Sequence, residues 1–106
     1  MGAPVDNLRH LIGGPRDGAL LRVTLANALL AEGATVDAIA HLRQAIAFDA
    51  DYSAAFKLLG KTLAETGAAQ EAAAVYRDGI AAAQRRGDKQ AEKEMAVFLR
   101  RIEKPR

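Results

Sequence analysis

The chain has 106 residues, of which half are apolar and only 5% aromatic, and its 15 basic and 13 acidic side chains give a formal charge of +2. This length suffices for one modest hydrophobic core, and an apolar set dominated by alanine favours closely packed helices over sheets. The absence of cysteine excludes disulfides and thiolate metal sites, and the interspersed acidic side chains exclude a nucleic-acid-binding polycation.

The N-terminal segment carries no basic stretch followed by a long apolar run, so a secretory signal is not visible. No apolar run approaches the roughly 20 residues that a helix needs to cross a bilayer. We therefore expect a soluble, cytoplasmic protein that has no membrane partner.

The first predicted element, residues 5–18, is a helix followed by a turn. Its Leu8, Arg9 and Ile12 recur at identical spacing as Leu42, Arg43 and Ile46. Residues 13–18 are rich in glycine and proline, which is typical of a turn. The segment is therefore predicted to be the second half of an incomplete repeat.

Two full repeats follow, residues 19–52 and 53–86. One constant shift aligns them without a gap, and the matched pairs are Leu25 with Leu59, Leu29 with Leu63, Gly33 with Gly67, Arg43 with Arg77 and Ile46 with Ile80. Apolar residues recur at three and four positions on either side of the glycines, which indicates two helices per repeat. Gly33 and Gly67 are predicted to end the first helices in a left-handed conformation.

Side chains at the predicted helix starts are capping candidates. Asp17, Thr35 with Asp37, and Asp51 or Ser53 have the residue types that accept a hydrogen bond from the first turn of a helix. Arg22 stands where the repeat pattern has a bulky apolar residue, and we expect its guanidinium to reach water or Asp17. Small residues in the second helices are expected to let neighbouring helices approach closely; they are Ala38, Ala45, Ala72 and Gly79.

The last predicted element, residues 88–103, does not follow the repeat. Asp88 opens it, and one face of the helix carries Ala91, Met95, Phe98, Leu99 and Ile102. The final repeat of an array has an apolar face that no further repeat covers, so this segment is predicted to be a capping helix.

The pattern resembles the tetratricopeptide-repeat (TPR) family, whose unit is a pair of helices spanning about 34 residues. The residues that carry the resemblance in the second full repeat are Phe56, Leu59, Gly60, Leu63, Gly67, Ala72, Tyr76 and Gly79. Those in the first are Leu25, Ala26, Leu29, Gly33, Ala38, Leu42 and Ala45. The family's closing proline is replaced by Ala50 and Gln84. The resemblance implies an all-α fold, a right-handed α-solenoid of antiparallel helix pairs.

The resemblance also implies a function, namely a non-catalytic protein–protein interaction module. In this family the first helices line a concave groove that binds a peptide or helix of a partner protein. The residues of this chain that the family pattern assigns to the groove are Leu20, Val23, Asn27 and Leu30 in the first full repeat and Lys57, Lys61 and Glu65 in the second.

Two interpretations stay open for the polar groove residues. Asn27 matches an asparagine that bonds the ligand backbone in many members, but it is also simply the consensus residue there. Lys57 and Lys61 lie one helical turn apart, so both ammonium groups can meet one ligand carboxylate. Alternatively, both lysines belong to a solvated face on which Glu65 is a weak partner of Lys61.

Other functional classes have less support in the sequence than partner binding. Two full repeats bury little core, so self-association or assembly through exposed apolar helix faces, including a weak homo-oligomer, is the alternative hypothesis. His10 and His41 lack a ligand at metal spacing and Ser53 has no histidine nearby, so we expect no enzyme activity, metal or cofactor. The basic C-terminal cluster lacks interleaved aromatic residues, and we expect no nucleic-acid partner; the cluster comprises Arg85, Arg86, Arg100, Arg101, Lys104 and Arg106.

Overall fold

The computed structural model describes residues 2–104, which form six α-helices and contain no β-strand. The helices are α1 (Ala3–Arg9), α2 (Ala19–Ala31), α3 (Thr35–Phe48), α4 (Ser53–Glu65), α5 (Ala69–Arg86) and α6 (Lys89–Glu103). The prediction of an all-α fold built from helix pairs is confirmed. Arg106 of the basic cluster lies outside the described residues.

The chain divides into two compact units, Met1–Asp49 with α1–α3 and Ala50–Arg106 with α4–α6. Each unit has its own buried residues. The finer division of the sequence into a half repeat, two repeats and a cap stays a prediction.

The first unit is centred on the packed pair α2 and α3, with α1 against α2. Its largest fully buried side chains are Leu25, Leu29 and Leu42, each 0% exposed, together with Val5 of α1. These residues recur at helical spacing, so each helix directs one apolar face inward. Ala38 and Ala45 of α3 are also completely buried, as small residues at a close helix contact should be.

Glycines end three of the helices in the same way. Gly33, Gly67 and Gly87 have φ of 78°, 87° and 75°, the left-handed region that favours glycine. After α2, the Ala34 N–H donates to the Leu29 carbonyl at 2.9 Å, which satisfies a carbonyl that the helix leaves without a partner. The prediction that Gly33 and Gly67 end helices is therefore confirmed.

The side-chain caps predicted for α2, α3 and α4 are wrong. The N-cap residues are Gly18, Ala34 and Tyr52, and none of them makes a side-chain capping hydrogen bond. Thr35 and Ser53 are instead the first residues inside their helices, because the glycine-ended turn leads directly into α3 and because α4 starts after Tyr52.

The polar groups expected to cap these helices bind elsewhere. The Ser53 hydroxyl donates to Asp88 Oδ2 at 2.8 Å, and Asp51 accepts from Arg85 Nε at 2.6 Å. Asp88 itself does cap α6, because its Oδ1 accepts from the Ala91 N–H at 3.1 Å. The hydrogen bonds from Ser53 and Ala91 lower the pKa of Asp88.

Arg22 anchors a polar cluster inside the first unit. Its Nε and Nη2 donate to the two carboxylate oxygens of Asp17 at 2.8 and 2.9 Å, as the sequence predicted for its guanidinium. The Gly13 N–H also donates to Asp17, at 2.9 Å. These bonds, that of Arg22 first, hold the pKa of Asp17 far below its ordinary value. Asp17 therefore fixes the turn before α2 instead of capping the helix.

The same guanidinium meets α3. Arg22 Nη1 lies 3.1 Å from His41 Nδ1, and because arginine has only donors, this imidazole nitrogen accepts. Burial, with the positive charge of Arg22 as a second cause, lowers the pKa of His41. The guanidinium also lies 5.6 Å from the ring centroid of Phe48. Where the repeat pattern has a bulky apolar residue, Arg22 thus forms hydrogen bonds with Asp17 and His41.

The second unit packs α5 against both α4 and α6. Two glycines make this possible. A Cβ on Gly60 would lie 2.5–2.8 Å from ring atoms of Tyr76, and a Cβ on Gly79 would lie 2.5 Å from Met95 Sδ and 2.7 Å from Phe56 Cβ. The close approach predicted at Gly79 is therefore confirmed. On α6, Met95 is fully buried and Ala91 nearly so, at 0% and 5% exposed.

Candidate functional site

In the first unit, the predicted groove residues lie along α2. Leu20 is 68% exposed, Leu30 is half-buried and Val23 is buried with 9% exposed. Asn27 is exposed, and its Nδ2 donates to the Val23 carbonyl one turn earlier at 3.3 Å. This bond uses one of the two amide N–H donors, so the side chain retains a donor and its oxygen for a ligand.

In the second unit, the predicted groove residues lie along α4. Lys57 is half-buried, and its Nζ lies 3.3 Å from Glu94 Oε1 and 3.5 Å from Oε2 on α6. Lys61 and Glu65 are exposed, and among residues 2–104 neither has an ion-pair partner within 4 Å. The two lysines therefore differ, since Lys57 already holds a carboxylate of its own unit.

A cavity of about 310 Å³ lies beside Lys61 and Glu65. Helices α4, α5 and α6 all contribute to it, and its lining residues are Lys61, Ala64, Glu65, Tyr76, Phe98, Arg101 and Ile102. The rings of Tyr76 and Phe98 lie with their centroids 5.7 Å apart. The Arg101 guanidinium lies 5.8 Å from the Phe98 centroid. The cavity thus combines an apolar, aromatic floor with a charged rim.

The electrostatics of this cavity keep its floor neutral. Tyr76 is 2% exposed, and burial followed by the negative charge of Glu65 raises the pKa of its phenol. At the rim, Lys61 and Arg101 outnumber Glu65, so the local charge is positive. The phenol stays protonated at neutral pH beside this rim.

The sequence predicted Lys61 and Glu65 as site residues but assigned the other polar and apolar members of the cavity elsewhere. Tyr76 belongs to the repeat pattern, Phe98 and Ile102 to the apolar face of the predicted capping helix, and Arg101 to the basic C-terminal cluster. The signal available in the sequence is the apolar face of α6, on which Phe98 and Ile102 follow Met95 at helical spacing.

Of the residues considered for metal binding and catalysis, His41 and Ser53 form hydrogen bonds with other side chains of their own units. His41 accepts from Arg22, and Ser53 donates to Asp88. Within residues 2–104 no group of three or more histidine, aspartate or glutamate side chains is placed to hold a metal ion. In the same range, no helix is both long and apolar enough to cross a membrane.

Comparison with known proteins finds a curated relative and a solved structure of similar extent, while no protein-family model matches the chain. A TPR repeat-containing protein of Pseudomonas aeruginosa is 39% identical over 102 residues, which is 96% of this chain and 97% of the relative. The solution structure of a protein from Bordetella parapertussis is 42% identical with a TM-score of 0.79, covering 96% of this chain and 89% of that one.

Proposed function

The chain belongs to the tetratricopeptide-repeat family, and from this premise we propose that it is a non-catalytic module that binds a peptide or helix of a partner protein. The proposed contact surfaces are those of α2 and α4 that carry the groove residues of the family pattern. The observation that most supports the proposal is the exposed cavity of the second unit, with its apolar floor and positive rim.

The surface of α2 supports the proposal through Leu20, an apolar side chain that its own unit leaves exposed. The first unit already buries Leu25, Leu29 and Leu42 completely, whereas Leu20 remains 68% exposed. Asn27 lies two turns further along the same helix, and its side chain retains one amide N–H and its oxygen for a ligand. An apolar side chain beside a hydrogen-bonding amide is a suitable contact for an extended peptide.

The surface of α4 supports the binding of an acidic ligand. Lys61 has no carboxylate within 4 Å among residues 2–104, and Lys57 is held by Glu94 on α6. An ion pair that is partly exposed on both sides contributes only about 0–1 kcal/mol, so a ligand carboxylate can compete with Glu94 for Lys57. The two lysines can then meet one ligand carboxylate, as the sequence spacing suggested.

The test is a fluorescence-polarisation screen of the full chain against a library of peptides that mix acidic and apolar residues. The best binder is then titrated against the variant Lys57→Glu/Lys61→Glu. We expect a loss of affinity of about tenfold, since two attractive contacts become repulsive. Asn27→Ala tests the α2 surface by itself, and a peptide that binds there should be weakened by about 2- to 10-fold.

The matched control is Lys89→Glu/Lys93→Glu, which makes the same charge change at the same spacing on α6. Both of these lysines are exposed, and neither lines the cavity. Equal losses in the two double variants would mean that only the net charge attracts the peptide. That result, or a library without any binder, would refute groove binding.

Self-association is the second candidate function, and exposed apolar residues of the first unit favour it. Val36 and Phe48 of α3 are 81% and 51% exposed. A symmetric contact through these residues would bury them against a second copy. Sedimentation velocity across a hundredfold dilution tests this, because a monomer mass and a melting temperature that do not change with concentration would refute it.

A further inference from the structure

The apolar stripe of α6 extends beyond what its unit covers. Met95 is 0% exposed, whereas Phe98 and Ile102, on the following turns, are only half-buried. Both line the cavity beside Tyr76. Covering apolar surface with a ligand contributes about 25 cal/mol of favourable free energy per Å². The floor of the cavity therefore favours an apolar occupant.

The size of the cavity limits what that occupant can be. Its volume of about 310 Å³ is at the low end of the roughly 300–1,000 Å³ typical of small-ligand sites. A folded domain does not enter this space. One large side chain projecting from a peptide does.

The charges at the rim determine what lies next to that side chain. Lys61 comes from α4 and Arg101 from α6, and neither has an ion-pair partner within 4 Å among residues 2–104. Burial of the floor disfavours a charged group there, and the negative charge of Glu65, the second cause of the raised pKa of Tyr76, acts in the same direction on a ligand carboxylate. A ligand with its acidic group at the rim and a neutral group below satisfies both conditions.

We propose that the cavity receives one leucine, methionine or phenylalanine side chain of the partner segment, and that an aspartate or glutamate adjacent to it pairs with Lys61 and Arg101. The proposal rests on the proposed function and identifies the anchor of the bound segment. It also assigns Tyr76, Phe98, Arg101 and Ile102 to the binding site.

The experiment uses the isotope-labelled full chain, observed by NMR, and three synthetic peptides. The first has a phenylalanine followed by two glutamates within a glycine–serine frame, the second replaces phenylalanine by alanine, and the third replaces the glutamates by lysines. We expect the first to shift amide signals of Ala64, Phe98 and Ile102. The second peptide should bind at least about tenfold more weakly than the first, and the third about 2- to 5-fold more weakly than the first.

Two variants separate the anchor from its surroundings. Ala64→Phe places a ring in the cavity from an exposed position on α4 and should abolish the shifts without changing the helical signal. Arg101→Glu should weaken binding about 2- to 5-fold or more, whereas Arg100→Glu, the same charge change on the neighbouring residue outside this cavity, should not.

The outcomes for the anchor and for the proposed function differ. Unchanged affinity in Ala64→Phe, or equal affinity of the phenylalanine and alanine peptides, would overturn the anchor site. Shifts confined to Leu20, Asn27 and Leu30 would also overturn it while leaving partner binding on α2 intact. A library without any binder would instead refute the proposed function itself.

Discussion

Replacing Gly79 by alanine tests the packing of the second unit most directly. A Cβ at this position would lie 2.5 Å from Met95 Sδ and 2.7 Å from Phe56 Cβ, whereas ordinary contacts begin at 3.4 Å. Phe56 Cβ is attached to the backbone of α4, so it must move by about 0.7 Å together with its helix. The sulfur of Met95 must move by about 0.9 Å, but it ends a flexible chain.

Two opposing effects determine the magnitude. Overpacking a filled core costs about 1–3 kcal/mol, and both neighbours are buried, with Phe56 at 7% and Met95 at 0% exposed. Alanine in place of glycine within a helix returns about 1 kcal/mol. Because α4 and α6 both crowd this one position, the overpacking cost should lie in the upper part of its range, at about 2–3 kcal/mol, and we expect a net loss of about 1–2 kcal/mol in the free energy of unfolding. For a unit of this size the melting temperature then falls by about 5–15 °C.

The assay is thermal and urea unfolding followed by circular dichroism. Asp78→Ala, at the exposed neighbouring position in α5, is the control and should change the free energy by less than about 0.5 kcal/mol. Met95→Ala makes room for the new methyl group, so its combination with Gly79→Ala should destabilise less than the sum of the single changes. A Gly79→Ala protein as stable as the original would refute this reasoning.

Further predictions concern a titrating side chain and a helix end. The folded chain lowers the pKa of His41 from 6.5, so the unfolded chain binds the proton more readily and stability should fall as the pH drops below 6.5. His41→Gln should reduce that slope in urea denaturation curves measured between about pH 7.5 and pH 5. An unchanged slope would count against a lowered pKa of His41 in the folded chain. Gly67→Ala should cost about 1–2 kcal/mol because φ is 87° there. Gly18 has an extended backbone and no atom near a new Cβ, so Gly18→Ala should leave the stability almost unchanged. Equal effects of Gly67→Ala and Gly18→Ala would contradict the left-handed conformation of Gly67 as the cause of the loss.

Some features of the candidate site followed from the sequence. The repeat period placed Leu20, Asn27 and Leu30 on α2 and Lys57, Lys61 and Glu65 on α4, because helical spacing alone determines which residues share a side of a helix. It did not indicate that Lys57 pairs with Glu94, 37 residues away. The cavity itself was also missed, since three helices from separate stretches of the chain form it.

The features that could be predicted from the residues alone are local ones. Gly33 and Gly67 end their helices because only glycine adopts positive φ without a steric cost, and alanine and leucine at helical spacing specify the buried faces. Tertiary structure alone decided the partners of polar side chains. Asp17, Asp51 and Ser53 have the residue types of helix caps, yet each binds a side chain 5 to 35 residues away. A carboxylate or hydroxyl bonds whichever donor or acceptor the fold brings within about 3 Å, and sequence spacing does not encode that distance.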